Sequence, residues 1–174
     1  MKIYISRIEN KDRKLLSNQM LKYAYNNTCG KIIDIGKIHK NQYGKPYYDD
    51  KFYFNISHSK NYLIIAADEN EVGVDIEEPR YVNPDMSKRV LAKNETVLYG
   101  DILNNWVLKE AYAKYLGVGL YLDFRDINTE SILRSENVIN LSTKDYYCFL
   151  VSKNPVHVKI KWLDDEDLHQ YISK

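Results

Sequence analysis

Three β-type runs at residues 52–57, 62–67 and 72–77 follow one another with four residues between each pair. Gaps of that size are hairpin length, so this stretch predicts consecutive antiparallel strands. Ahead of them, residues 2–8 alternate well enough for a first strand. Residues 12–25 carry Leu15, Leu16, Met20, Leu21 and Ala24 at helical spacing, and the Asn26–Gly30 region ends that helix. Residues 32–39 predict another strand, and Tyr43-Gly44-Lys45-Pro46 a turn. Pro79 and Pro84 bracket a boundary. Helices are expected at 86–92, 95–99 and 102–116, short strands at 146–151 and 156–162, and a helix from Asp164. The order predicts an α+β fold with mainly antiparallel sheets.

The balance of 25 Lys+Arg against 24 Asp+Glu leaves a net charge of +1, which argues against sequence-blind nucleic-acid binding. Cys29 and Cys148 have neither C-x-x-C spacing nor a nearby His, so a disulfide scaffold and a zinc knuckle are not expected. The longest apolar run, at 63–67, is far short of a bilayer span, and no signal peptide is evident. A soluble, cytoplasmic chain is expected.

Three constellations carry chemistry. In Val72-Gly73-Val74-Asp75-Ile76-Glu77, strand alternation puts Asp75 and Glu77 on one face about 6.6 Å apart, with Val74 and Ile76 turned into a core. Paired carboxylates at a strand end suit Mg²⁺, although a solvated acidic face would read the same. In Trp106-Val107-Leu108-Lys109-Glu110-Ala111-Tyr112-Ala113-Lys114, residues 106, 110 and 114 form one helical stripe. The plain account there is a surface Glu110–Lys114 pair. In Asn55-Ile56-Ser57-His58-Ser59, hydroxyl and imidazole donors leave a strand together, which suits a phosphate monoester; turn capping is the plain account. No Gly-x-Ser-x-Gly elbow supports a serine hydrolase.

In order, the chain reads G-K-P, then N-I-S-H-S, then G-V-D-I-E, then W-x-x-K-E-A-x-x-K-x-x-G-x-G-L. From about Arg13 to Leu120 it resembles the 4′-phosphopantetheinyl transferases of the surfactin-synthetase-activating type. The resemblance implies a pseudo-dimer of two similar α+β halves, here residues 1–80 and 81–174, with the cofactor between them. It implies Mg²⁺-dependent transfer of the phosphopantetheine arm of coenzyme A to a serine of an apo acyl or peptidyl carrier protein. Adenosine 3′,5′-bisphosphate would be released, and the chain would act as a monomer. Asp75, Glu77 and Glu110 would hold the metal, and Lys114 would lie near the transferred phosphate. Ser57 and His58 would hold the 3′-phosphate of coenzyme A, with Arg13, Lys45 and Pro46 as further cofactor contacts. Glu110 is also the best-placed general base, acting directly or through a water.

Three departures stand out. Twelve residues precede Arg13 here, a shorter N-terminus than is typical, so the basic stretch the family often carries there is expected to be lacking. Lys60 stands where a Gly is common, and Val107 replaces a small hydroxyl residue. The rival reading is a catalytically silent coenzyme A-binding protein on the same fold. Retention of all three carboxylates and Lys114 disfavours it. A homotrimeric holo-acyl-carrier synthase is disfavoured because both halves lie in one chain.

Overall fold

The computed structural model describes residues 1–48 and 51–171. Its elements run β1 (Lys2–Arg7), α1 (Arg13–Cys29), β2 (His39–Lys40), β3 (Pro46–Tyr47), β4 (Tyr53–His58), β5 (Tyr62–Asp68) and β6 (Val72–Glu77). Then follow α2 (Ser87–Val90), α3 (Ile102–Leu116), α4 (Thr129–Ser135), β7 (Asn137–Asn140), β8 (Tyr147–Ser152), β9 (Lys159–Trp162) and α5 (Asp165–His169). None of the described helices is long and apolar enough to cross a membrane.

Two sheets stack face to face, each backed by a helix. The first has strand order β4-β5-β1-β9 and the second β6-β8-β7. Every pairing is antiparallel except β1 with β9, together with which the fold is α+β as expected. Alternation sorts the side chains into three apolar layers. Tyr4, Leu63, Ile65 and Ala67 face Leu16, Met20 and Ala24 of α1. Ile3, Ile5, Ile64 and Ala66 face Val72, Val74, Ile76, Cys148 and Leu150 between the sheets. Phe149 and Val151 face Val107, Leu108 and Ala111 of α3.

Sheet membership crosses the 80/81 boundary of the sequence. Strand β6 precedes that boundary yet pairs with β8, whereas β9 follows it and pairs with β1. Leu163 and Leu168 likewise enter the core under α1.

Several expected elements are corrected. Helix α1 runs past Asn26 to Cys29, while its stop at Gly30 is the expected one: a φ of 67° lets the Gly30 N–H return to the Asn26 carbonyl. Residues 32–39 are not a strand: the Asp34 side chain accepts from Gly36 N and sets a 3-10 turn at Ile35–Lys37. The 86–92 helix shortens to a 3-10 turn at Pro84–Met86 followed by α2. Residues 95–99 form no α-helix, because Glu95 is drawn into a buried polar cluster and Tyr99 adopts a φ of 50°. Helix α4 and strand β7 were not foreseen. Asn128 caps α4 by accepting from Glu130 N.

Candidate active site

Strand β6 and helix α3 build the site at close range. A Cβ at Gly73 would sit 2.1 Å from the Ala111 carbonyl oxygen and 2.4 Å from Tyr115 N, so only glycine permits this approach. Two residues on, the same face carries Asp75, which is 6% exposed. Lys114 Nζ lies 2.5 Å from Asp75 Oδ1 and 2.9 Å from Ser57 Oγ. The Ser57 hydroxyl donates to Asp75 Oδ1 at 2.6 Å. The structure thus joins Asp75, Ser57 and Lys114 in one hydrogen-bonded group.

The N-I-S-H-S run has a structural logic of its own. Strand β6 is the edge of its sheet, and its outer N–H groups are met by side chains of β4 and the following turn instead of by backbone. Asn55 Oδ1 accepts from Val74 N at 2.9 Å, Ser57 Oγ from Ile76 N at 3.4 Å, and Ser59 Oγ from Glu78 N at 2.9 Å. The period-two spacing of 55, 57 and 59 matches that of 74, 76 and 78. These oxygens satisfy buried donors that would otherwise cost about 1–3 kcal/mol each. Ser57 is therefore fully engaged inside the protein. His58, on the opposite alternation, is exposed and faces the α1 side, where Arg13 lies.

Arg13, His58, Ser59, Lys60, Glu77, Glu78 and Arg80 line one open cleft of about 560 Å³. Partial desolvation of the imidazole, with Arg13 and Lys114 nearby, lowers His58 below its usual value. Glu77 is held at this cleft by Arg80 Nε at 2.6 Å and by Ser59 Oγ at 3.1 Å. Lys45 and Pro46 line a different pocket with Tyr47, Phe52 and Glu71. Lys45 Nζ is paired there with Glu71 Oε2 at 2.5 Å and donates to the Tyr115 carbonyl at 3.2 Å.

Glu110 is half-buried and has neither a hydrogen bond nor an ion pair among the described residues. Burial raises its carboxyl, Asp75 and Glu77 raise it further, and Lys114 only partly opposes them, leaving it at about 7. A carboxyl with that value exchanges protons near neutrality, as a general base must. Among the described residues, no three His, Cys, Asp or Glu side chains are gathered as a ready metal site. Lys114 and Arg80 instead neutralise Asp75 and Glu77. The charge balance still fits a cation: three carboxylates interact here, and the strain falls on the unpaired one. Trp106, on the same stripe, packs against Phe124 at 5.2 Å between ring centroids. It also lines a mainly apolar groove of about 280 Å³ with Arg80, Val82, Met86 and Val90.

Lys109 has a wholly different place from Lys114. Its ammonium is 0% exposed and is bound by Glu95 Oε2 at 2.5 Å, Val90 O at 2.7 Å and Phe124 O at 2.9 Å. Sequence reasoning gave Arg80, Asn55 and Glu95 no role. The period of N-x-S-x-S was a usable signal for Asn55, whereas nothing local marks Glu95.

Comparison with known proteins adds an independent result. The model of the 4′-phosphopantetheinyl transferase superfamily matches residues 71–161, which hold β6, α3 and Asp75, Glu77 and Glu110. The chain is 29% identical over 112 residues to 4′-phosphopantetheinyl transferase gsp of Aneurinibacillus migulanus, covering 56% of this chain and 47% of that protein. It is 28% identical over 137 residues to 4′-phosphopantetheinyl transferase Sfp of Bacillus subtilis (strain 168), covering 71% and 56%. A putative 4′-phosphopantetheinyl transferase of Haemophilus influenzae is 32% identical over 120 residues, covering 61% and 49%. The chain spans about half the length of these relatives.

Proposed function

The chain belongs to the 4′-phosphopantetheinyl transferase superfamily, and on that premise we propose that it transfers the 4′-phosphopantetheine group of coenzyme A to a serine of an acyl or peptidyl carrier protein. The observation that carries the reading is geometric: a half-buried, unpaired Glu110 on the same helix stripe as Lys114, whose ammonium is fixed by Asp75 and Ser57.

In the proposed step the carrier serine oxygen bonds to the phosphorus of the phosphopantetheine group. The bond from that phosphorus to the bridging pyrophosphate oxygen breaks, and its electron pair leaves with adenosine 3′,5′-bisphosphate. The serine proton passes to Glu110, directly or through one water. The Lys114 ammonium, already fixed by Asp75 and Ser57, offers its charge to the phosphoryl oxygens without reorganising. Phosphoryl transfer asks mainly for such positioning and charge stabilisation. Asp75, Glu77 and Glu110 would hold Mg²⁺, whose chemistry is to neutralise charge on the pyrophosphate. Support for that set is the mutual repulsion that raises Glu110. The exposed His58 and Arg13 would meet the 3′-phosphate in the cleft they share, while Ser57 would act from behind by orienting Asp75 and Lys114. The reading also takes the protein as a cytoplasmic monomer.

Intact-mass measurement on several apo-carriers, incubated with the protein, Mg²⁺ and coenzyme A, tests this directly. One added phosphopantetheine is expected on at least one carrier, abolished by EDTA and by Glu110→Gln. If coenzyme A binds but no carrier gains mass, the protein is a silent coenzyme A binder.

A further inference from the structure

The cleft shared by Arg13 and His58 contains one more cation, Lys60, in the turn between β4 and β5. Its setting differs from that of an ordinary surface lysine. Both neighbours are anchored to the end of β6. Ser59 N donates to the Tyr62 carbonyl at 2.9 Å and closes the hairpin, while Ser59 Oγ binds Glu78 N and Glu77. Asn61 donates from its backbone N and from Nδ2 to the two oxygens of Glu78, at 2.6 and 2.7 Å. The backbone that presents Lys60 is thus fixed on both sides, and its side chain is left exposed at the cleft.

The charge balance of the cleft singles out the same residue. Glu77 is taken by Arg80 and Glu78 by Asn61, so both acidic groups are occupied. The side chains of Arg13 and Lys60 have neither an ion pair nor a hydrogen bond among the described residues. Two uncommitted cations therefore face one solvent-filled space beside an imidazole. A compact dianion with three acceptor oxygens suits that arrangement, and Lys contributes to it as a point charge.

We propose that Lys60 is a specificity-determining residue of this chain, binding the 3′-phosphate of coenzyme A together with Arg13. This rests on the coenzyme A reading above, and it gives the turn a role that hairpin closure alone does not require.

Calorimetric titration of the full-length protein with coenzyme A and with 3′-dephospho-coenzyme A, without any carrier, tests the assignment. Lys60→Met is expected to weaken coenzyme A about tenfold, the low end for one charge-assisted contact. It should leave 3′-dephospho-coenzyme A unchanged, and the coenzyme A deficit should shrink as salt is raised. Lys60→Arg should retain the preference. Equal affinities of wild type and Lys60→Met for coenzyme A overturn the proposal while leaving the coenzyme A reading intact. In parallel carrier-loading kinetics, a Lys60→Met defect confined to the KM for carrier protein overturns it too and would make Lys60 a carrier contact. Wild-type protein that binds neither nucleotide overturns both.

Discussion

Replacing Lys109 by Met removes one buried charge and leaves its partner behind. Lys109 and Glu95 have side chains 0% and 1% exposed, and the ammonium also ties the carbonyls of Val90 and Phe124 to α3. Breaking a buried pair from one side costs about 3–5 kcal/mol, because an uncompensated charge remains. Glu95 keeps three donors, from Ala92 N at 2.7 Å, Thr129 N at 2.8 Å and Asn105 Nδ2 at 3.2 Å, so the lower half of that range is expected. For a chain of this size that corresponds to roughly 6–16 °C in Tm. Urea unfolding followed by tryptophan fluorescence reads it, since Trp106 packs on Phe124 beside the pair. Glu95→Gln added to Lys109→Met should recover about 1–2 kcal/mol by removing the orphaned charge. The pair also sets a pH dependence. Burial pushes the Glu95 carboxyl up, but Lys109 and the N–H groups of Ala92 and Thr129 outweigh it and hold the group below its ordinary 4.5. The unfolded chain therefore takes up the proton first, and this stability, complete above 4.5, is lost as the pH falls below it. A Lys109→Met variant within about 1 kcal/mol of wild type, or strict additivity in the double variant, would refute the reasoning.

Lys114→Met should lower kcat at least ~100-fold, equal to about 2.7 kcal/mol, as measured by carrier mass shift over time. His58→Ala should weaken coenzyme A by about 1.5–3 kcal/mol and 3′-dephospho-coenzyme A far less; equal losses would point to a hairpin role instead. Gly73→Ala should cost about 1–3 kcal/mol or more in urea unfolding, because the new methyl meets the backbone of α3 at 2.1 Å. Asn55→Ala should cost about 1–3 kcal/mol and speed amide exchange at Val74, whereas Asn55→Asp keeps the acceptor and should restore much of the protection.

The acidic face of β6 was legible because strand alternation is a local rule: Asp75 and Glu77 face α3, and Val74 and Ile76 enter the core. The boundaries of α3 were legible for the same kind of reason, since a long periodic run ends at Gly117 with a φ of 72°. The stripe of Trp106, Glu110 and Lys114 followed from the same spacing, whereas the burial of Lys109 against Glu95 did not. What the sequence hid was long-range. Ser57 looked like a ligand donor because nothing local shows that β6 lies beside β4 and needs its hydroxyl. Lys45 was expected to contact the cofactor, yet Glu71 claims it across 26 positions. Residues 95–99 have helical composition, but a buried cation 14 positions away from Glu95 decides their shape.

The pairing of β1 with β9 has a kinetic consequence. Ile3 lies opposite Ile160 in the parallel register, and Leu163 N returns to the Ile5 carbonyl at 2.8 Å. During synthesis the fourth strand of the first sheet does not exist until residue 159 has left the ribosome. Until then β1 presents an open edge, with Ile3 and Ile5 on one of its faces. Closing a loop of that length is entropically slow, and long-range contacts of this kind lower folding rates. Completion of the first sheet thus waits on residues 159–162, and a nascent chain halted before residue 159 should remain protease-sensitive at β1 even after β4, β5 and β6 have emerged.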